Sequence, residues 1–118
     1  MRYVDGFVLP VARKDLPAYR RLARWAAKIF REHGALEVRE YVGDALDTKF
    51  DVPFPRLAKT KRGEIVLFSW ILFKSKAHRD TVNAKVMNDP RMADMDMAKL
   101  PFDVKRMAMG GFKLLVAG

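Results

Sequence analysis

The chain has 118 residues, no cysteine, and 23 basic against 14 acidic residues, which give it a formal net charge of +9. This length fits one domain over residues 1–118, large enough to bury a core, and the lack of cysteine excludes disulfides, thiolate metal sites and a cysteine nucleophile and suits a cytoplasmic protein. No apolar run approaches the roughly 20 residues of a membrane helix, so we expect no membrane partner.

The first predicted strand runs from Arg2 to Leu9 and ends at Pro10, because apolar residues occur on both of its faces and proline cannot continue a central strand. Asp5 lies in the middle of this strand, where burial without a partner would be costly. We expect it to pair with Arg39 or Arg106, both in other predicted strands. An exposed strand edge is the alternative.

A long amphipathic helix is predicted from Asp15 to His33, with apolar residues at three- and four-residue spacing and Gly34 as its stop. Its other side carries Arg20, Arg24, Lys28 and Arg31. This stripe is typical of a solvated face, and contact with phosphates is the alternative.

The second predicted strand, residues 35–42, has mixed polarity, with Glu40 on the same side as Leu36 and Val38. A long loop follows from Gly43 to Gly63, with a short extended segment near Phe54 to Lys59. Its last residues, Lys61 to Glu64, have the composition of a tight turn.

The third predicted strand, Ile65 to Phe73, contains only one residue that is not apolar, Ser69. Successive side chains alternate across a strand, so both of its faces need a cover. The two convincing long helices of the sequence can cover one face of a small sheet. We therefore expect a second copy of the chain to cover the other face.

A second helix is predicted from its cap at Ser75 to about Asn88, and a short third helix from Arg91 to Lys99. The last strand should run from Val104 to Val116, with an interruption at Gly110-Gly111. The order of elements is then βαββαβ, which predicts an α+β, ferredoxin-like fold with an antiparallel sheet.

The sequence contains no arrangement typical of a hydrolase, a metal site or a phosphate loop. His33 and His78 are far apart in the sequence, no HExxH spacing occurs, and no glycine-rich turn precedes a helix. We therefore expect no metal or cofactor, and the sequence indicates no catalytic residue.

Several segments of the chain form one recognisable pattern: Tyr3 to Phe7, Phe68 to Ile71, Ser75-Lys76, Arg79-Asp80, Asn83, Asp89 to Met92, Pro101 to Asp103, Lys105 to Met107 and Gly110 to Phe112. Together they resemble one family, the YbaA-like proteins of the domain-of-unknown-function family 1428. The resemblance covers nearly the whole chain. It implies a ferredoxin-like monomer whose sheet pairs with that of a second copy, as a dimeric α/β barrel, and it implies no established activity. Tyr41-Val42 stand where the family usually has Cys-Trp.

By looser analogy with related barrel families, which include cofactor-free monooxygenases and lactone isomerases, we expect a pocket between sheet and helices. Trp70 would form a wall, Arg79 and Arg106 would bind an anionic group, and Asn83 would form a hydrogen bond. The alternative is a structural ion-pair network of Arg79, Asp80 and Arg106 at a dimer interface. Residues expected to have a structural or interface role are Asp5, Arg39 and Asp80.

Three functions remain after sequence analysis. A homodimer that binds a small molecule is favoured. An enzyme of the monooxygenase or isomerase type is the alternative. Binding of RNA through the helix stripe and the basic residues from Arg56 to Arg62 is the least favoured, because a basic surface more often serves solubility.

Overall fold

A computed structural model describes residues 2–118. Four strands form one antiparallel sheet in the order β2-β3-β1-β4. The strands are β1 (Tyr3–Ala12), β2 (Glu37–Val42), β3 (Glu64–Phe73) and β4 (Ala108–Lys113). The helices are α1 (Leu16–Glu32), α2 (Phe54–Leu57), α3 (Lys76–Met87) and α4 (Pro90–Ala93). The two long helices lie between strands as predicted, so the βαββαβ order is confirmed.

Helices α1 and α3 pack against one face of the sheet, which we call the inner face. The core lies in this layer, because strands β1 and β3 place every second side chain toward the helices. Its most deeply buried side chains are Leu9, Val11, Ile29, Phe73, Val82 and Val86.

Local sequence signals set the ends of both long helices. Pro17 occupies the first turn of α1, where its missing N–H has no intrahelical partner to lose. Gly34 follows the end of α1 with φ of +116°, a conformation that favours glycine. Helix α3 starts at the predicted cap, where the His78 backbone N–H donates to Ser75 Oγ at 3.1 Å.

The opposite face of the sheet, which we call the outer face, is covered at one end only. Val66 is buried, and Leu46 and Phe54 of the loop between β2 and β3 lie beside it. Farther along, Phe68 is 46% exposed and Tyr41 of β2 is 50% exposed. The apolar surface expected on this side of β3 is therefore open.

Three predictions about the bounds or types of secondary-structure elements were wrong. Strand β1 continues through Pro10 to Ala12, because β4 ends opposite Val8 and proline is tolerated where one side of a strand is unpaired. The segment that begins at Phe54 forms the one-turn helix α2, not an extended segment, and the segment between Arg91 and Lys99 forms α4 and a separate 3-10 turn.

Strand β4 passes through Gly110-Gly111 without the predicted interruption, and it is shorter than expected. Gly111 instead leaves space for the ring of Tyr3 on the neighbouring strand. A Cβ atom on Gly111 would lie 2.1 Å from the hydroxyl oxygen of Tyr3. Any side chain at this position would displace Tyr3.

Candidate functional site

An apolar recess in the core layer lies between the inner face, helix α1 and the segment that follows α4. We call this recess the inner cavity; its volume is about 270 Å³. Strands β1 and β3 form its floor with Phe7, Leu9 and Ile71, and Trp25 and Phe30 of α1 form its roof. Four methionines, Met92, Met95, Met97 and Met107, close the remaining side.

The inner cavity exists because small side chains face each other where a core would normally hold large ones. Ser69 is the smallest residue on the inner face of β3 and is buried. Ala23, Ala26 and Ala27 lie above the floor on α1. Methionine is unbranched and polarizable, so the methionine side can adapt to the shape of an occupant.

Two polar side chains meet at the β2 end of the inner cavity. The Tyr19 hydroxyl of α1 donates a hydrogen bond to Glu40 Oε1 of β2 at 2.8 Å. Ser69 is directly opposite Glu40 in the pairing of β2 with β3, so their side chains are neighbours on the same face. Glu40 is the only carboxylate among the residues that line the inner cavity.

Tyr19 is buried, whereas Glu40 lies on the edge strand β2 and is exposed to solvent. The part of Glu40 that faces the apolar lining is desolvated, which raises the pKa of Glu40, and the hydrogen bond from Tyr19 offsets part of the effect. Burial and the adjacent carboxylate also raise the pKa of Tyr19 strongly. Tyr19 therefore stays protonated and remains a hydrogen-bond donor at every physiological pH.

A second recess of about 320 Å³ joins the same polar pair from outside, along the groove between α1 and β2. Tyr19 and Glu40 line both recesses. This second recess also has Arg20 and Arg24 on its rim, and both are exposed. A molecule that enters from this side meets two cations first and the apolar interior afterwards.

The sequence matches the family model described as "Protein of unknown function (DUF1428)" over residues 2–104. It is also 44% identical over 117 residues to the uncharacterized protein YbaA of Escherichia coli K12, and the match covers 98% of each chain. The chain belongs to the DUF1428 family. The YbaA protein of Shigella flexneri is equally similar to it, with 44% identity and 98% coverage of each chain.

Two solved structures share the fold of this DUF1428 chain. Rv0793 from Mycobacterium tuberculosis has a TM-score of 0.59 at 13% identity and covers 99% of this chain and 98% of its own. A NIPSNAP domain protein from Burkholderia xenovorans has a TM-score of 0.56 at 8% identity, with 96% and 94% covered. The fold is thus the expected α+β, ferredoxin-like fold.

The four residues predicted to bind a ligand lie in three separate surroundings in this DUF1428 structure. Trp70 lies on the outer face, opposite Gly6 in the pairing with β1. Arg79 and Asn83 lie on α3 above Asp5. Arg106 lies before β4 and binds the Glu64 carboxylate at 2.7 and 2.8 Å. None of the four lines the inner cavity, and their role in binding stays a prediction.

Asp5 is buried, and its partners differ from those expected. Asn83 Nδ2 donates to Asp5 Oδ2 at 3.5 Å, and Arg79 Nη1 lies 3.7 Å from Asp5 Oδ1. Burial raises the pKa of Asp5, while Arg79 and Asn83 partly offset that rise. The prediction that Arg39 or Arg106 pairs with Asp5 was wrong, since Arg39 pairs with Glu37 and Arg106 with Glu64.

Arg79 joins several elements of the DUF1428 fold through one guanidinium group. Its Nη2 donates to the Tyr3 hydroxyl at 3.1 Å, and its central carbon lies 4.9 Å from the centre of the Tyr3 ring. Its Nε lies 3.1 Å from Asp80 Oδ1. The expected pairing of Arg79 with Asp80 is therefore present, whereas Arg106 belongs to a different cluster.

Sequence analysis noted Glu40 on the apolar side of β2 but drew no functional conclusion from it. The available signal was its position: Glu40 follows Leu36 and Val38 at every second residue of the strand, so its side chain lies on the same side of the sheet as theirs. By its spacing, Tyr19 falls among the apolar positions of α1 and has no separate sequence signal. Its hydroxyl acquires a role only when α1 and β2 come together.

In residues 2–118, no three histidine, cysteine, aspartate or glutamate side chains are grouped so that they could hold a metal ion. Over the same residues, the longest helices are too short or too polar to cross a membrane.

Proposed function

We propose that this DUF1428 protein is a homodimer in which each chain binds a small, mostly apolar molecule in the inner cavity. The single observation that carries the proposal is the cavity itself. Ligand sites in proteins are typically concave clefts lined by hydrophobic and aromatic side chains with a few polar groups. The inner cavity is such a cleft, partly open to solvent, with a volume of about 270 Å³ and a lining of aromatic and methionine side chains.

The lining supports binding over loose packing. Empty space next to apolar side chains is destabilising in proportion to its volume, and a leucine in place of Ala26 or Ser69 would fill much of this space. The sequence instead has small residues on both the floor and the roof. The cysteine-free sequence supports a cytoplasmic location for the protein, because proteins of that compartment rarely contain disulfides.

The outer face supports the homodimer. Its exposed apolar side chains are continuous across the sheet, from Tyr41 on β2 through Phe68 on β3 to Phe112 on β4. A twofold axis through the middle of β3 and β1 would bring this surface against its own copy, which is the commonest way in which soluble proteins cover such a patch.

Glu40 favours an isomerase-type enzyme as the second candidate. A carboxylate with a raised pKa beside an apolar cavity suits the removal of a proton from a carbon atom next to a carbonyl group. Exchange of such a proton for deuterium in a bound ketone, lost in Glu40→Gln, would distinguish an enzyme from a binding protein. The pocket is the same in both cases.

The test of the binding function is native mass spectrometry of protein purified from its own host. We expect a dimer that carries an additional small-molecule mass, and we expect Ala26→Leu to abolish that mass because leucine fills the inner cavity. The control is Ala77→Leu, the same exchange at an exposed position of α3. Retention of the mass in Ala26→Leu, or its loss in Ala77→Leu, would refute the proposed location.

A further inference from the structure

The polar pair at the end of the inner cavity restricts which molecules fit, provided that the proposed binding function holds. Tyr19 uses its only hydrogen to donate to Glu40 Oε1. The structure gives Glu40 no other side-chain partner in residues 2–118, so Oε2 remains able to accept a hydrogen bond. The site therefore offers an acceptor and calls for a ligand that donates.

The apolar surroundings set the second condition, which concerns charge. A carboxylate or phosphate placed beside Glu40 would bring two anions close together, and like charges at such a distance disfavour each other. An ammonium group would find a partner in Glu40, but to enter through the groove it would have to pass Arg20 and Arg24. An uncharged donor meets neither obstacle.

The third condition is size. An apolar cavity of about 150 Å³ accommodates benzene. The inner cavity has about 270 Å³, which corresponds to about two fused rings on the same scale. Five aromatic side chains line it, and they can stack against such a body or meet it edge-on. They are Phe7, Tyr19, Trp25, Phe30 and Phe102.

We propose that the ligand class of the inner cavity is an uncharged ring compound of about two rings that carries a phenol-type hydroxyl group and donates its hydrogen to Glu40 Oε2. The rings fill the space between Trp25 and the methionines. The hydroxyl lies beside Tyr19 and Ser69, where it satisfies the carboxylate. This assigns Glu40 the role of specificity residue.

Three naphthalene probes differ only in the group that reaches Glu40. 2-Naphthol donates a hydrogen bond, 2-methoxynaphthalene has the same rings without a donor, and 2-naphthoate carries a negative charge. Phenols are uncharged at neutral pH. Binding is measured for each by titration calorimetry and by the indole N–H signals in a proton–nitrogen NMR spectrum.

The two tryptophans of the chain make the NMR measurement specific to the site. Trp25 lines the inner cavity, whereas Trp70 belongs to the outer face. A probe in the cavity must shift the Trp25 signal and leave the Trp70 signal in place. A probe on the outer face would do the opposite.

We expect 2-naphthol to bind at least about tenfold more tightly than 2-methoxynaphthalene, since a hydrogen bond to a charged group contributes about that factor or more and 2-methoxynaphthalene has no hydrogen to donate. 2-Naphthoate should bind most weakly. In Glu40→Gln the advantage of 2-naphthol should fall about tenfold, while 2-methoxynaphthalene is unaffected. The control is Glu37→Gln on the same strand, where the side chain points to the other face, and all three affinities should stay as in the wild type.

Equal affinities for the three probes, with a shift of Trp25, would overturn the hydroxyl-donor class and leave the binding function standing. Tightest binding of 2-naphthoate would also overturn it and would point to Arg20 and Arg24 as the recognising groups. If no probe shifts Trp25, the proposed binding function and this inference both fall.

Discussion

Substitution of Phe68 by aspartate should separate the proposed homodimer into monomers. Phe68 is 46% exposed on the outer face, and a phenylalanine side chain buries about 200 Å² when it is fully enclosed. The open part is therefore about 90 Å², which contributes about 2 kcal/mol when it is covered. A twofold interface contains this residue twice.

Phe68→Asp should thus remove about 4 kcal/mol of association free energy, before the cost of placing two carboxylates in the interface. That loss raises the dimer dissociation constant by about a thousandfold. Sedimentation equilibrium at micromolar concentrations measures the change, and circular dichroism verifies that the monomer is folded. The matched control is Phe50→Asp, because Phe50 is 98% exposed in the loop between β2 and β3.

Three results would refute the argument. A monomeric wild type at these concentrations would mean that the outer face stays uncovered. An unchanged dimer in a folded Phe68→Asp variant would mean that the two chains meet elsewhere. Dissociation by Phe50→Asp as well would show that general solubility, and not the outer face, controls association.

Two further predictions concern stability. Arg106 holds the pKa of Glu64 at about 2, well below its usual value. The pair therefore stabilises the protein above about pH 4.5, and this contribution is lost as the pH falls toward 2. In Arg106→Gln we expect the free energy of unfolding, measured with urea, to be about 1–2 kcal/mol lower at neutral pH and to change less between pH 4.5 and 2. Gly111→Ala should cost about 1–3 kcal/mol in the same assay, because the added methyl group would overlap Tyr3.

Matched variants control both measurements. Arg62→Gln removes an exposed arginine from the turn before β3 and should leave the pH dependence as it is. Gly118→Ala adds a methyl group where no atom lies within 4 Å. An acid transition in Arg106→Gln that matches the wild type would contradict the role of the ion pair, and equal stability of the two alanine variants would contradict the close approach to Tyr3.

The fold was predictable from sequence because its signals are local. The apolar alternation of β3, the caps at Ser75 and Asp89, and Gly34 after α1 each act within a few residues of the element that they define. Even the open outer face followed from the two-sided apolarity of β3. Such signals need no knowledge of how distant segments pack.

The partners of Asp5 were not predictable in this way, because they depend on strand register. Asp5 lies opposite Gly111 of β4, so Arg106 is too far along the chain to reach it. Asp5 pairs with Ile71, and Ile71 pairs with Val38, so these three side chains lie on the inner face. Arg39 follows Val38 along β2, and its side chain therefore lies on the outer face. Only the packing of α3 brings Arg79 to this carboxylate.

The inner cavity was located in general terms, between sheet and helices, but its lining residues were not identified. A cavity is what remains after four segments of the chain have packed, and its size depends on small differences among their side-chain volumes. Ser69 and Ala26 have no distinctive sequence signal, since small residues occur in any strand or helix. Glu40 did have such a signal, because it is an acidic residue on the same side of the strand as the apolar Leu36 and Val38.

The strand order has a consequence for how the protein folds. The central pair joins residues from 52 to 70 positions apart, Ala12 with Glu64 and Tyr3 with Phe73. Contacts at such sequence separation require the closure of a long loop before they contribute any stability, which slows folding. Helix α1 and the pairing of β2 with β3 involve shorter separations. We therefore expect the docking of β1 between β3 and β4 to limit the folding rate, and until it occurs the most apolar strand of the chain has an unpaired edge exposed to aggregation.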